Sequence, residues 1–290
     1  MTTTLLTGAT GFLGEFVVQQ FVAEGVRVRA FVRPTSDVTA LLAQGVETCV
    51  GDLGDRAALA AALEGADVFV NVASLGFGHA SNIVTAAVES GVQRAIFVST
   101  TSVFTRLPAA SKPVRVAAER LIRESGLAYT IVRPTMIYGT PRDRNIWRLI
   151  NFLRRWPIVP IVGTGAARQQ PVYVADAAQA IVRALDCEAA IGQTYNVAGA
   201  EPITLVEMID TICTALGRRV RKMAIPLSIA VLGVQLVRLL GISLTTEQAH
   251  RIEEEKCVDI RPAQRDLCYT PLSFGQGVAH EIACLSAAGV

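Results

Sequence analysis

The chain has few lysines, no closely spaced cysteine pairs and little net charge. The last two shortages each exclude a class of function. Only Lys112, Lys222 and Lys256 occur among its 290 residues, and the net charge is +2. So small a charge gives no strong case for a nucleic-acid partner. The six cysteines include no C-x-x-C pair, which favours reduced core thiols in a cytoplasmic protein over a metal or disulfide framework. The opening residues also lack the pattern of a secretory signal peptide.

Long uninterrupted apolar runs are scarce as well. The most apolar segment, residues 223–244, is broken by Pro226, Gln235 and Arg238, and its cleanest run is shorter than a bilayer requires. We favour a buried or groove-forming helix there. A helix on a membrane surface is the alternative, with the basic residues 218–222 contacting anionic lipid, and the segment could equally dock a protein.

The first strong signal is a glycine loop at the start of the chain. Residues 7–14 read Thr-Gly-Ala-Thr-Gly-Phe-Leu-Gly directly after an apolar run. Three glycines at this spacing allow a tight turn, close approach of the backbone to a pyrophosphate, and close packing of the next helix. The N–H groups of that helix would face the phosphate. The loop therefore predicts dinucleotide binding by Gly8, Thr10, Gly11, Phe12, Leu13 and Gly14.

Apolar strand-like runs then alternate with helical patterns. Continuous Val, Ile and Ala runs are typical of strands that are buried on both faces of a parallel sheet. The pattern predicts an α/β fold, a doubly wound parallel Rossmann sheet with a smaller, mainly helical C-terminal substrate lobe. We place the dinucleotide-binding core at residues 1–140 and the lobe, interleaved with the last strands of the core, at 141–290.

The end of the second predicted strand bears on the choice of dinucleotide. An NAD site usually carries an acidic residue there, about 20 residues past the glycines, whereas this chain has Arg33. A guanidinium can hold a 2′-phosphate through paired hydrogen bonds, so NADP(H) is favoured over NAD(H), with Arg29 and Ser36 as candidate helpers. Asp52 and Leu53, after the third strand, are candidates for contacting the adenine.

Together these motifs resemble the extended or atypical short-chain dehydrogenase/reductase superfamily, which contains nucleotide-sugar epimerases and dehydratases. The resemblance covers nearly the whole chain and rests on residues 7–14, 51–53, 71–73, 97–100, 133–139, 172–176 and the stretch between 244 and 271. It implies further cofactor contacts at Val72, Ala73, Ser99, Arg115 and Pro134. It also implies an oxidoreductase or epimerase-like enzyme for a small substrate, with nucleotide-linked molecules among the candidates. Relatives often pair, so a homodimer is a further expectation.

The chain departs from that superfamily at its catalytic pair. The family uses Tyr-x-x-x-Lys as the acid or base, with a Ser or Thr at the end of the preceding strand. No tyrosine here is followed four residues later by lysine. The family positions fall on Ser111 and Arg115, and Thr100 takes the hydroxyl position. A serine is too weak an acid to replace a tuned phenol, although Arg115 could still hold the ribose.

Two other residues could supply the missing acid. Lys112 would act if a dry site shifted its pKa, and a solvated loop lysine is the alternative. Tyr138 could face the crevice, but in relatives it is mostly structural.

His79 could contact phosphate or cap a helix, and the polar cluster 142–145 could bind an anionic ligand or form a salt-bridged helix start.

A protein without turnover is the competing interpretation. The lost tyrosine and lysine suit a catalytically silent NADP(H)-binding sensor or structural subunit, and the superfamily includes nitrogen-regulation sensors and an accessory subunit of respiratory complex I. The sequence alone leaves both functions open.

Overall fold

A computed structural model describes residues 2–143, 145–225 and 254–287 of the chain. The apolar segment 223–244 therefore lies outside the described residues, apart from 223–225. No helix within the described part is long and apolar enough to cross a membrane.

A parallel sheet of seven strands forms the centre of the molecule. Its strands are β1 (Thr3–Thr7), β2 (Arg27–Val32), β3 (Glu47–Val50), β4 (Val68–Asn71), β5 (Arg94–Val98), β6 (Tyr129–Pro134) and β11 (Gln193–Val197). Their order is β3-β2-β1-β4-β5-β6-β11, and every neighbouring pair is parallel. The order reverses between β1 and β4, and in such sheets ligands bind beyond the carboxyl ends of the strands at that point.

Helices cover both faces of the sheet, as the continuous apolar runs predicted. All residues of β1, β4 and β5 are buried. One face packs against α1 (Phe12–Ala23), α2 (Thr39–Ala43) and α7 (Val174–Asp186). The other packs against α3 (Arg56–Leu63), α4 (Ala80–Ser90) and α5 (Ser111–Glu124). The predicted doubly wound α/β fold is confirmed.

A smaller lobe with its own apolar core lies beyond the carboxyl ends of the strands. Its helices are α6 (Ile146–Arg155), α8 (Leu205–Ala215) and α10 (Phe274–Ala287), while α9 (Arg261–Asp266) packs on the sheet side. Three strand pairs complete it: β7 (Ile137–Tyr138) with β10 (Val172–Tyr173), β9 (Arg168–Gln169) with β12 (Ile203–Thr204), and β8 (Ile158–Val162) with β13 (Arg221–Ile225).

A buried carboxyl pair lies inside this lobe. Glu281 on α10 is 0% exposed, and its carboxyl group is hydrogen-bonded to the Asp143 carboxylate. Asp143, also buried, accepts hydrogen bonds from the backbone N–H groups of Asn145 and Trp147 at the start of α6. Burial and the Asp143 carboxylate raise the pKa of Glu281 to about 9, so Glu281 is neutral at pH 7.

We expect Glu281→Gln to change how stability depends on pH. The pKa of Glu281 is about 9 in the folded chain and 4.5 ordinarily, so folding takes up a proton between those values. The free energy of unfolding of the wild type then falls as pH rises through this window, by up to about 1.4 kcal/mol per pH unit. The neutral glutamine removes this loss, so the variant gains on the wild type from about pH 5 to about pH 8. Urea unfolding of both proteins at both pH values measures this gain. If the variant and the wild type differ in free energy of unfolding by the same amount at both pH values, the raised pKa is refuted.

Candidate cofactor and substrate site

The glycine loop forms a tight turn between β1 and α1. Gly8 has φ +77°, and a Cβ there would lie 2.6 Å from the Ala73 nitrogen. A Cβ at Gly14 would collide with the Gly8 carbonyl oxygen, whereas one at Gly11 would meet only that oxygen, at 3.1 Å. Gly8 and Gly14 thus permit close packing, and Gly11 leaves the outer side of the loop open beside the start of α1. This cradle fits a dinucleotide pyrophosphate.

Arg142, from the loop after β7, lies across this cradle. Its guanidinium donates to the Thr10 carbonyl oxygen at 2.9 Å and forms an ion pair with Glu15 in the first turn of α1. Without the arginine, the Glu15 carboxylate would oppose a phosphate at the same helix end. Of the polar cluster 142–145, Arg142 therefore belongs to the cofactor loop, whereas Asp143 caps α6.

The carboxyl end of β2 presents Arg33 to solvent. The Arg33 side chain is exposed and has no hydrogen-bond or ion-pair partner among the described residues. Nearby, the Asp52 carboxylate accepts from the Gly54 N–H at 2.7 Å, and Leu53 is half-buried. Arg33 is therefore available to a ligand at the predicted adenosine end of the groove.

The prediction that Arg29 helps Arg33 is wrong. Arg29 lies in the middle of β2, where its guanidinium pairs with Glu47 at 3.0 Å and donates to the carbonyl oxygens of Ala62 and Glu64. These partners fix it at the neighbouring strand β3 and at the end of α3, away from the strand end. The other helper, Ser36, donates its backbone N–H to the Arg33 carbonyl oxygen at 3.0 Å.

A small cavity of about 230 Å³ opens at the carboxyl ends of β4, β5 and β6. It brings together six of the predicted site residues: Leu13, Val72, Ser99, Thr100, Arg115 and Pro134. Ala73 lies beside it, with its carbonyl oxygen accepting from the Asn71 side chain at 2.9 Å. These residues come from five separate segments that meet beyond the carboxyl ends of the strands, where ligands bind in open α/β sheets.

A larger cavity of about 790 Å³ lies between the sheet and the lobe. It shares Thr100, Arg115 and Thr135 with the small cavity. Its other walls combine apolar side chains, among them Phe104, Met136, Ile146, Leu149 and Met208, with polar and charged ones, among them Arg148, Gln169 and residues 254–256. Sequence reasoning missed these wall residues because they come from distant segments and carry no motif.

Ser111 and Arg115 meet at the junction of the two cavities. The Arg115 guanidinium donates to the Ser111 hydroxyl oxygen at 2.7 Å and to the Ser102 hydroxyl oxygen at 3.1 Å. The Thr100 hydroxyl oxygen accepts from the Ser102 N–H at 3.2 Å. The two residues at the family's Tyr-x-x-x-Lys positions therefore touch each other, but they form a serine–guanidinium pair, which has no acidic phenol.

The buried carboxylate of Glu119 holds this junction in place. It accepts from the Ser99 hydroxyl at 2.7 Å, from Arg133 Nε at 2.8 Å and from Arg123 at 2.9 Å. Burial alone would raise the pKa of Glu119, but the hydrogen bonds from Arg133 and Ser99 outweigh it and hold that pKa below its ordinary value. We did not predict Glu119 as a site residue, because no local pattern reveals a partner 14 to 20 residues away.

Tyr138 and Lys112 lie outside both cavities as their lining is described. Tyr138 is 1% exposed in the lobe core, and its hydroxyl donates to the Phe274 carbonyl oxygen at 3.4 Å. A Cβ at Gly277 would collide with that hydroxyl, and burial raises the pKa of Tyr138 far above its ordinary value. Lys112 donates to the Thr105 carbonyl oxygen at 2.7 Å. These placements favour the structural alternative for Tyr138, whereas Lys112 is the second residue of α5 rather than a solvated loop lysine.

His79 stands at the position before α4 and makes no side-chain hydrogen bond to that helix start. Its ring lies beside Gly54, 3.7 Å from where a Cβ of that glycine would be. It is therefore on the cofactor side of the sheet, and the capping role we considered for it is not observed.

Comparison with known proteins agrees with this geometry. Residues 8–155, just over half of the chain, match the NAD(P)H-binding family, and residues 108–227 match the 3-beta hydroxysteroid dehydrogenase/isomerase family. The chain belongs to the NAD(P)H-binding family, within the extended short-chain dehydrogenase/reductase superfamily. Its relatives are oxidoreductases or epimerases.

Individual relatives differ in what they do. Over 77% of its length, the chain is 29% identical to the mitochondrial NADH dehydrogenase (ubiquinone) 1 alpha subcomplex subunit 9 of Arabidopsis thaliana, of which the match spans 60%. It is 28% identical to the 2-alkyl-3-oxoalkanoate reductase of Stenotrophomonas maltophilia, over 94% of the chain and 96% of the relative. The UDP-glucuronic acid 4-epimerase of Bacillus cereus, solved with NAD, shares the fold at TM-score 0.78 and 18% identity, over 99% of both chains.

The Arg142–Glu15 pair predicts a specific pattern in dinucleotide affinity. We expect Arg142→Ala to raise the Kd for NADPH about tenfold, because it leaves the Glu15 carboxylate uncompensated beside the phosphates. Glu15→Gln in the same background should restore most of the affinity. Calorimetric titration of both single variants and the double variant measures the coupling. If the double variant binds as weakly as Arg142→Ala, compensation of Glu15 is not the role of the arginine.

Proposed function

We propose that this protein is an NADP(H)-dependent oxidoreductase that acts on a carbonyl or alcohol group of a largely apolar substrate. The observation that carries the proposal is the junction of the two cavities at Thr100, Arg115 and Thr135. A nicotinamide bound in the small cavity would supply hydride-transfer chemistry next to whatever occupies the larger one. The loop residues 8–14 would hold the pyrophosphate, and Arg115 the ribose.

The preference for NADP(H) rests on Arg33. It is exposed at the end of β2, has no partner among the described residues, and replaces the acid that would repel a 2′-phosphate. A free guanidinium can form two parallel hydrogen bonds to a phosphate. The neighbouring backbone, with Ser36 bonded to the Arg33 carbonyl oxygen, gives the arginine a fixed base.

The wall chemistry of the larger cavity favours an apolar substrate. Phe104, Leu149 and Met208 offer hydrocarbon surface, while polar groups lie at the junction and among residues 254–256. Pockets of this kind orient a ligand through a few polar contacts and bind the remainder by apolar burial. The named activity of the Stenotrophomonas relative, reduction of a 2-alkyl-3-oxoalkanoate, is consistent with such a substrate.

The residues at the junction would have different roles in the reaction. Thr100 would orient the substrate oxygen, and the permanently charged Arg115 would stabilise negative charge developing on it. Ser111, bonded to Arg115, would relay a proton from water to that oxygen. Because a serine cannot act as a tuned acid, we expect slower turnover than in relatives that have the tyrosine.

We expect Arg33→Asp to raise the Kd for NADPH by about 10- to 100-fold and to leave NADH binding nearly unchanged, because only NADPH loses charge-assisted bonds to a phosphate. Calorimetric titration with both cofactors measures this. Arg27→Asp is the matched control, since it makes the same charge change at the exposed opposite end of β2. Failure of the wild type to bind any dinucleotide would refute the proposed function.

A turnover assay distinguishes an enzyme from a cofactor-binding protein that catalyses no reaction. With a panel of apolar ketones and 3-oxo acids, we expect NADPH-dependent reduction that falls at least about tenfold in Thr100→Val and Arg115→Met. Tyr138→Phe should keep the wild-type rate, because that hydroxyl is buried away from both cavities. Loss of NADPH consumption in Tyr138→Phe, with the fold intact, would return Tyr138 to the catalytic role.

A cofactor-holding protein without turnover is the second candidate. The serine–guanidinium pair at the catalytic positions favours it, as does similarity to a subunit of NADH dehydrogenase. Unimpaired NADPH affinity, with no reduction of any carbonyl substrate by the wild type, would decide for this candidate.

A further inference from the structure

One face of the lobe is both basic and apolar, and the site described above does not use it. It is formed by residues 154–160, from the end of α6 into β8, and by residues 218–224, leading into β13. We name it the basic-apolar face. The two segments are neighbours because β8 and β13 pair in parallel, with Ile158 opposite Arg221 and Pro160 opposite Met223.

The pairing register fixes which side chains point outward. Val159 and Ile161 are buried in the lobe core, so the alternation along a strand turns Ile158 and Pro160 away from it. Registered partners in a parallel pair share a face, which places Arg221 and Met223 beside them. All four residues are exposed.

Large apolar side chains on this face are exposed. Trp156 is 57% exposed, Met223 51% and Ile158 47%. Three neighbouring apolar residues of this size, one of them an amphipathic indole, are the composition that binds at a membrane interface.

The charged side chains of the two segments all have one sign. The two segments contain Arg154, Arg155, Arg218, Arg219, Arg221 and Lys222, and no aspartate or glutamate. Lys222 is paired with Asp210, which lies outside the segments. Arg155, Arg218, Arg219 and Arg221 give the face a positive potential although the whole chain carries a net charge of only +2.

We propose that the basic-apolar face docks the protein on the surface of an anionic lipid bilayer. Trp156, Ile158 and Met223 would enter the boundary between headgroups and acyl chains, while the surrounding arginines contact lipid phosphates. A nucleic acid would satisfy the arginines but leave the outward aliphatic side chains without apolar partners. The proposal does not depend on the proposed function.

Vesicle sedimentation of the full chain tests this. We expect binding to mixed phosphatidylglycerol–phosphatidylcholine vesicles, much weaker binding to phosphatidylcholine alone, and loss of binding at high salt. Arg218→Glu, Arg219→Glu and Arg221→Glu combined should weaken binding at least about tenfold. The matched control combines Arg27→Glu, Arg56→Glu and Arg120→Glu, which makes the same charge change at exposed sites elsewhere.

The apolar contribution has its own control. Trp156→Ser should weaken vesicle binding severalfold, whereas Leu42→Ser, at a site with the same 57% exposure, should not. In a Trp147→Phe chain, Trp156 is the single tryptophan, so its fluorescence should shift to the blue on binding. Circular dichroism of each variant verifies that it is folded.

Three outcomes would overturn the proposal. The wild type could fail to bind mixed vesicles. The two triple variants could bind equally well, which would place the contact elsewhere on the chain. Finally, the wild type could bind polyglutamate or duplex DNA through the same arginines but not vesicles, which would assign the face to an acidic protein or a nucleic acid.

Discussion

The buried carboxylate of Glu119 is the interaction on which the site depends. It sits on α5 and accepts hydrogen bonds from Ser99 at the end of β5 and Arg133 at the end of β6. Thr100 follows Ser99, and Arg115 lies one helical turn before Glu119, so one anion sets the spacing of the residues that line both cavities. Loss of a partner would leave a buried charge uncompensated, and such losses cost several kcal/mol.

The network around Glu119 does not depend on the tyrosine and lysine that Ser111 and Arg115 replace. The helix, its anchor and the strand ends keep the geometry of the superfamily, and the guanidinium retains the donors and the charge that a lysine would bring. Only the acidic phenol is gone. The family model that the chain matches describes NAD(P)H binding and does not by itself describe a reaction.

The fold was predictable because its signals are local. The glycine loop and the doubly buried strands mark a Rossmann sheet without reference to distant residues, and Arg33 could be placed from its strand alone. Where a role depends on tertiary contacts, the sequence predictions were wrong or the residue was not predicted at all. Arg29 pairs with Glu47 on the neighbouring strand, and Tyr138 is enclosed by a helix more than 130 residues later. Ser99 and Arg133 are brought to Glu119 only by the order of the strands in the sheet.

The position of β11 has a consequence for the order in which the molecule is built. Strand β6 is complete at residue 134, but its outer partner β11 begins at residue 193. During synthesis the nascent sheet therefore carries an open β6 edge while residues 135–192, which include about a third of the lobe sequence, emerge from the ribosome. An unpaired edge of this kind invites pairing with another chain. The lobe, which would shape a substrate pocket in the finished molecule, would then be an obligatory delay in its folding, and we expect chaperone dependence to concentrate in that interval.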